Sequence, residues 1–541
     1  MRTSALLTMT GLSFVMLAGC GGGGGAGGGG APVLVTPPLP PPVSSSPTLP
    51  RFSTATTRAG FTFAHAYPDD YDGMPGLFAG GAALGDVDGD GDDDVVVIRG
   101  AAAPLLYLNA SGVFTSRDIR LSGDPKLSGP MLADLDGDGD LDLFVGGLDG
   151  DGARVLANDG TGAFTDVTEG SGLDAMGALN TISAALGDYD ADGDLDLALA
   201  HWGTARDETD PGDTETLWRN DSAGGVIRFA SVSVQSGANA AVDPSLEGKL
   251  GRGFDYTFAP NFIDYDGDGI LDLLMVADFR GTKVLKGQGD GTFEDVTDPT
   301  QITDTNGMGT DLADLDRDGR PDWFVTSINS NRLYANMDGS FVDRGAESGL
   351  DTGGWGWGTC FADLNADGHY DAVQTNGWVN DTGSPDSEPY SEDRTRLWLG
   401  GEDGSYEDVA EDADLQDSAQ TRAVICHDFD GDTDVDVLLL VNGSDDGAIY
   451  RENTTAGLNA ITVRLDGPLL GVGAKVEVTA DGETQHRWVR AGSTFTAQTP
   501  LAQHVGLGDA RSADVRVLWP DGTEQTVAAV DAGTALVVAK P

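Results

Sequence analysis

The sequence predicts an all-β chain: a seven-bladed β-propeller with Ca-binding hairpin loops, followed by a small C-terminal β-domain. Three observations predict it. A nine-residue acidic phrase recurs seven times. Each copy lies between two short apolar runs bounded by turn residues, which read as buried strands. Each copy is then followed by the same kind of third and fourth strand, at spacings of about fifty residues that match a four-stranded blade.

The phrases are DVDGDGDDD, DLDGDGDLD, DYDADGDLD, DYDGDGILD, DLDRDGRPD, DLNADGHYD and DFDGDTDVD. Their shared pattern, D-x-[DN]-x-D-x-x-x-D, puts oxygen ligands at positions one, three, five and nine. A hard cation the size of calcium requires such a set, and a glycine near position six permits the sharp turn. The expected ligands in the first three loops are Asp86, Asp88, Asp90 and Asp94; Asp134, Asp136, Asp138 and Asp142; and Asp188, Asp190, Asp192 and Asp196. The fourth and fifth loops offer Asp264, Asp266, Asp268 and Asp272, then Asp314, Asp316, Asp318 and Asp322. The last two offer Asp363, Asn365, Asp367 and Asp371, then Asp428, Asp430, Asp432 and Asp436. Up to seven calcium ions are therefore expected. An EF-hand is excluded because position twelve, where it needs a bidentate Glu, holds Val97, Val145, Leu199, Met275, Val325, Gln374 and Leu439. Asn365 in the sixth loop and Thr433 in the seventh keep their oxygens but weaken those two sites.

Third strands follow as LLYLN, RVLAND, TLWRND, KVLKG, RLYAN, RLWLG and AIYREN, with fourth strands opening on a Gly-aromatic or Gly-aliphatic turn. Only six fourth strands are internal. Ala59-Gly60-Phe61-Thr62-Phe63 carries the missing signature, so the N-terminal strand is expected to close the last blade and remove the exposed edge. The propeller then spans residues 52–456. Residues 457–541 read as a β-domain of short alternating strands.

Ahead of the propeller, a basic start, a short apolar stretch and Leu17-Ala18-Gly19-Cys20 read as a lipoprotein signal over residues 1–19, with lipid on Cys20. Residues 20–51, rich in Gly and then Pro, read as a tether. The protein is expected to be exported and lipid-anchored to the cell envelope, at the outer membrane because no Asp follows Cys20. Of 541 residues, 31 are Lys or Arg and 88 are Asp or Glu, a formal net charge of −57. That field excludes nucleic acid and anionic membranes as partners, leaving the lipid anchor as the contact with a membrane. Cys360 and Cys426 stand three and two residues before their loops. Adjacent offsets on a strand point to opposite faces, so two buried thiols are expected.

The loop phrase, with its following LYxN and GxF, resembles the FG-GAP or VCBS repeat of integrin-α-like propellers. Gly471-Val472-Gly473-Ala474-Lys475-Val476, Gly506-Leu507-Gly508 and Leu518-Trp519-Pro520-Asp521-Gly522 resemble the ASPIC/UnbV domain. Together they resemble the cartilage acidic protein family and its bacterial relatives. The resemblance implies an architecture more readily than an activity.

A functional face is expected at the end of the blades away from the loops. Strand ends there carry Arg99, His201, Trp202, Trp355, Trp357, Asn376, Trp378 and Arg422, a mixed polar and aromatic mouth suited to a sugar or a peptide. The reading is a non-catalytic, calcium-stabilised binding or adhesion module for a protein or carbohydrate. The alternative is a calcium-dependent, lyase-like enzyme acting on polysaccharide through His201, Arg99 and Arg422. No nucleophile paired with a base is recognisable in the sequence.

Overall fold

The computed structural model describes residues 48–65, 77–100, 102–123, 125–177, 179–205, 216–239, 254–378 and 390–541. Cys20, the leader and the tether up to residue 47 lie outside the described residues. Among those described, no helix is long and apolar enough to cross a membrane.

The first acidic phrase joins strand Gly81–Gly85 to strand Asp94–Arg99, and Ala102–Leu108 and Thr115–Asp118 complete an antiparallel four-stranded sheet in chain order. The same order recurs from Leu127–Ala133, Thr310–Ala313 and Gly356–Ala362 as separate sheets. The third and fourth repeats, starting at Thr181–Gly187 and Phe254–Ile263, join into one eight-stranded sheet. The long strands Asp196–Ala205 and Phe254–Ile263 pair there, Trp202 opposite Tyr256.

Alternation along these strands gives each sheet two apolar faces, and each face packs on the next sheet. Val87, Leu106, Leu132 and Leu143 join the first repeat to the second. Phe144, Leu186, Leu197 and Trp218 continue into the third, and Ala198, Leu217, Phe262 and Leu273 into the fourth. Further clusters link the fourth to the fifth, the fifth to the sixth and the sixth to the seventh. Phe61, Leu84, Val97 and Tyr107 then meet Ile425, Phe429, Leu438 and Tyr450, bringing the seventh repeat back against the first. The result is a propeller-like ring. Each fully buried large side chain contributes about 1.5–3 kcal/mol, so these interfaces hold most of the stability.

The closing strand differs from the expected one. Phe52–Thr54, not residues 59–63, pairs with Ala448–Asn453, with Phe52 opposite Asn453. Thr56–Ala59 is a helical turn that ends at Gly60, φ 96°. The register explains the shift. Phe229 and Phe341, opposite Asn220 and Asn336 in the third and fifth repeats, also lie on fourth strands that run into a helical turn, closed by Gly237 and Gly349 in the same left-handed conformation. Phe52 is therefore the fourth-strand aromatic and Gly60 the turn glycine behind it. A side chain on Gly60 would meet the Phe114 carbonyl at 2.4 Å.

Cys360 and Cys426 form a disulfide, not two thiols, with Cα atoms 6.2 Å apart. Their adjacent offsets do point them to opposite faces of their own sheets. The sixth and seventh sheets stack face to face, however, so opposite faces are the ones that meet, and both sulfurs lie in the shared core. Residues at matching offsets would both have pointed the same way round the ring.

Beyond the seventh repeat, Lys475–Ala480, Glu483–Trp488, Ser512–Leu518 and Glu524–Asp531 form one sheet. Ala460–Asp466, Gln503–Gly506 and Thr534–Ala539 form a second, and Ile461, Val476, Val505 and Val515 pack between the two.

Candidate metal sites and the far face of the ring

In the first four loops the carboxylates at positions one, three and nine converge, with one oxygen of each within 4.8 Å of the others: Asp86, Asp88 and Asp94, and likewise Asp134/Asp136/Asp142, Asp188/Asp190/Asp196 and Asp264/Asp266/Asp272. In the fifth, Asp314, Asp316 and Asp318 do so. Position one is fixed by the turn: Asp86 Oδ1 accepts the Gly89 N–H at 2.8 Å and Oδ2 accepts that of Gly91 at 3.0 Å. Position five faces its own backbone, as where Asp138 Oδ1 accepts the Asp140 N–H at 3.0 Å. Asp88 Oδ1, Asp190 Oδ1, Asp194 Oδ1 and Asp434 Oδ1 are buried with no hydrogen-bond partner. Orphaned carboxylate oxygens in an all-oxygen cluster fit a hard cation, since like charges crowd there with nothing else to offset them. The loops are not identical. In the fourth, Lys286 Nζ bonds Asp266 Oδ2 and lies 3.0 Å from Asp268 Oδ2, an internal cation beside the site.

Position nine has a second task that sequence reasoning missed. In all seven loops one of its oxygens accepts a backbone N–H from the end of the third strand: Asn109 to Asp94 at 2.8 Å, Asn158 to Asp142 at 3.0 Å, Asn220 to Asp196 at 2.8 Å and Gly287 to Asp272 at 2.9 Å. Asn336, Gly400 and Asn453 do the same for Asp322, Asp371 and Asp436. In the first six loops the other oxygen accepts the N–H of position two, as Val87 to Asp94 at 3.0 Å. The ninth residue thus staples loop, second strand and third strand together. Burial pushes its carboxyl up to about 7 in Asp94, Asp142 and Asp322, about 8 in Asp272 and about 9 in Asp196, and well above the ordinary range in Asp371 and Asp436. The recurring third-strand Asn is a further staple. Its Nδ2 donates to the position-two carbonyl of the preceding loop: Asn158 to Val87, Asn220 to Leu135, Asn336 to Tyr265, Asn453 to Leu364 and, across the closure, Asn109 to Phe429 at 2.9 Å. The signal was the N of LYLN, VLAND, WRND, LYAN and YREN.

The C-terminal sheets sit on the loop end and send residues 490–499 into the ring. Ala82 N–H donates to Thr496 O at 3.1 Å and Gln498 N–H to Ala82 O at 3.0 Å. Thr310 N–H donates to Thr494 O at 3.1 Å and Leu186 N–H to Ala491 O at 2.8 Å, so the backbone of this segment bonds the first strands of the first, third and fifth repeats. Arg490 pairs with Asp311 at 2.6 Å and donates to Asn261 Oδ1 at 2.7 Å, all three buried. Arg464 grips both oxygens of Asp93 at 2.7 Å, and His427 Nε2 lies 2.9 Å from the same carboxylate. Burial alone would push the Asp93 carboxyl up, but His427 and Arg464 hold it below the usual range. Of the two histidines of this region, His504 Nε2 lies 2.9 Å from Thr433 O and His486 Nδ1 lies 3.5 Å from Glu477 Oε1.

At the tip of the hairpin, Phe495 is fully buried among Phe78, Phe258 and Trp357, with ring centroids 6.2, 5.3 and 5.2 Å away. Most residues expected to line an open mouth are therefore a packed plug. Trp202, Trp357, Trp378 and Arg422 are buried, as are Asn376 and His201. The reason is that Phe495, from the segment between two C-terminal strands, packs with Phe78, Ile182, Phe258 and Met308 into one cluster that fills the centre of the ring. Arg422 stacks on Trp357 at 4.5 Å and donates to Gly377 O at 2.9 Å. Asn376 donates to Asp393 Oδ2 at 2.9 Å. His201 Nδ1 lies 3.2 Å from Thr181 Oγ1, and Arg99 instead donates to Ala103 O at 2.7 Å and pairs with Asp118. The three residues named for lyase chemistry thus have separate partners. Trp355 is different. It is half-buried, stacked on Trp378 at 4.9 Å and 13°, and met edge-on by half-buried Tyr390 at 5.3 Å. Tyr256 and Phe279, 4.7 Å apart, are also half-buried.

Comparison with known proteins agrees with this layout. Residues 86–145, 134–199, 264–325 and 314–373 match the FG-GAP-like repeat, and residues 467–541 match the ASPIC and UnbV family. Cartilage acidic protein 1 of Mus musculus is 24% identical over 530 residues, covering 88% of this chain and 76% of that protein. Among solved structures, an Agrocybe aegerita lectin described as recognising non-reducing terminal N-acetylglucosamine is 17% identical, over 70% of this chain and 90% of its own, with TM-score 0.38. The extracellular domain of a putative one-component system from B. thetaiotaomicron is 11% identical over 92% of this chain and 60% of its own, with TM-score 0.38. Likenesses this distant carry no functional argument.

Proposed function

Proceeding from a chain of FG-GAP-like repeats closed by an ASPIC and UnbV domain and homologous to cartilage acidic protein 1, we propose a calcium-stabilised, seven-bladed binding module that is not catalytic. In this reading residues 52–456 are the propeller and 457–541 the appended domain, with the whole exported and held at the cell envelope through lipid on Cys20. Calcium is the ion because every donor is oxygen and the ligand spacing suits a large, hard cation. Bound calcium would be held by the carboxylates at positions one, three, five and nine. Its charge would turn their mutual repulsion into attraction.

The ligand we propose is a neutral carbohydrate. The observation that carries this is the half-buried aromatic rim at the end of the ring away from the loops. Trp355 lies nearly parallel to Trp378 and is met edge-on by Tyr390, while Tyr256 and Phe279 form a second half-buried pair against Trp202 at the edge of the same cluster. Flat, rigid aromatic faces stack on the apolar face of a sugar ring, and buried Trp378 and Arg422 hold the platform still. Neutrality follows from the charge of −57, which repels an anionic polymer. Tryptophan fluorescence titrated with a panel of neutral oligosaccharides tests this. A saturable change that Trp355→Ala weakens by at least about tenfold, with the melting temperature unchanged, is expected. Equal binding by the variant, or no response to any neutral saccharide alongside a response to a peptide library, would contradict it.

A further inference from the structure

The sixth loop differs from the others in its surroundings. Its position-one and position-three residues, Asp363 and Asn365, are 1% and 3% exposed, and Asp371 at position nine is fully buried. In the first four loops and the seventh, positions one and three both keep access to solvent; in the fifth, Asp316 does. The cover over the sixth loop is the C-terminal turn Gly506-Leu507-Gly508. Gly508 N–H donates to Ala366 O at 2.9 Å, inside the loop. A Cβ on Gly506 would stand 2.0 Å from Asp363 Oδ2 and 2.5 Å from Ala366 Cα. Gly506 is not left-handed, so its lack of a side chain serves this close approach and not a turn. The turn is braced from behind: Gln485 Nε2 donates to Gly506 O, and Asn459 Nδ2 to Gly508 O, each at 2.7 Å.

We propose that the sixth loop and the Gly506–Gly508 turn together form an occluded divalent-cation site, loaded as the C-terminal sheets dock and exchanging its ion only when they lift. This rests on the reading that the loops take calcium. Asp363 and Asp371 are buried with Arg487 as a fixed cation acting on Asp363, while Asp367 at position five keeps partial access to solvent. The two buried carboxylates call for further counter-charge, because a buried, uncompensated anion is far costlier than one at the surface. The cover over positions one, three and nine narrows the route by which that ion would leave. Lifting the cover requires breaking the Arg464 grip on Asp93 and the Arg490 pair with Asp311, and withdrawing Phe495 from its aromatic cage. Such sub-global opening is slow compared with exchange at a surface loop. Ion and domain therefore lock each other.

The test is calcium release from the full, calcium-loaded chain into excess quin-2, followed from milliseconds to hours. The expected trace has a fast phase from the open loops and one equivalent leaving at least about tenfold more slowly. Asp363→Asn should remove the slow equivalent and leave the fast phase. Gly506→Val, which wedges the cover open, should move that equivalent into the fast phase. Gly522→Ala, in the same domain with nothing within 4 Å of the new methyl, should change neither. A single fast phase in the unaltered protein, or a slow equivalent that survives both Asp363→Asn and Gly506→Val, would overturn the proposal while leaving calcium binding intact. Release of no calcium at all would overturn the underlying loop chemistry as well.

Discussion

The two ends of the ring are built on opposite plans. At the loop end one arrangement recurs, with position one tied to the turn, position nine stapling second and third strands, and the third-strand Asn reaching the previous loop. At the far end no arrangement recurs: Phe78, Trp202, Phe258 and Trp357 come from four different repeats and Trp378 from the same repeat as Trp357, each with its own neighbours. Repetition marks what every repeat needs in order to stand, and on the proposed function the unrepeated far end is what the assembled ring offers a ligand. In the proposed reading the loops serve stability and the aromatic rim serves recognition.

Removing the ions should produce the largest effect. At about 100 Kd each independent site adds about 2.7 kcal/mol, so chelation should lower the melting temperature by roughly 10 °C or more. A melt in EDTA that matches the melt in calcium would erase the distinction between the two ends. Within a loop, Asp142→Ala should cost about 2–6 kcal/mol, because two buried N–H groups lose their acceptor along with the ion. Asp138→Ala should cost no more than about 2.7 kcal/mol, the share of one ion. Equal chemical-denaturation midpoints for the two would show that position nine is only a ligand.

Breaking the disulfide by Cys360→Ser with Cys426→Ser should cost about 2–5 kcal/mol and loosen the sixth and seventh repeats first, which hydrogen exchange would resolve by position. The pH dependence sharpens the same contrast. The ninth carboxyls have folded-state values above their unfolded ones, so without an ion they favour the folded state at low pH. That contribution is lost as pH rises through about 7 to 9. In EDTA the protein should therefore melt higher at pH 5 than at pH 8. In calcium the order should invert, because acid displaces the ion. Smallest in stability, within about 0.5 kcal/mol, should be Trp355→Ala, whose effect belongs to ligand binding.

The ring was legible wherever a local pattern repeated. The DxDxDGxxD phrase, the apolar runs beside it and the LYxN strand each recur often enough to be read without a partner in view. The closing strand was misplaced because Gly60-Phe61 imitates the Gly-aromatic turn, and the equivalence of Phe52 to Phe229 and Phe341 shows only once register is known. The disulfide depends on sheets stacking face to face, which no single strand reveals. The plug was not readable at all: Ser493-Thr494-Phe495-Thr496 has no periodicity, and its partners Ala82, Leu186 and Thr310 lie hundreds of residues upstream. Most of the far-end residues lie at or just beyond strand ends, and most of them are buried where an open mouth was expected.

The most direct test of the account is to count calcium in the purified protein by metal analysis while melting the same sample with and without EDTA. Near seven ions per chain, with a large loss of melting temperature on chelation, is the predicted result. Few or no ions, or ions whose removal leaves the melt in place, would contradict the claim that the repeated loops are the calcium-dependent frame on which the far face is held.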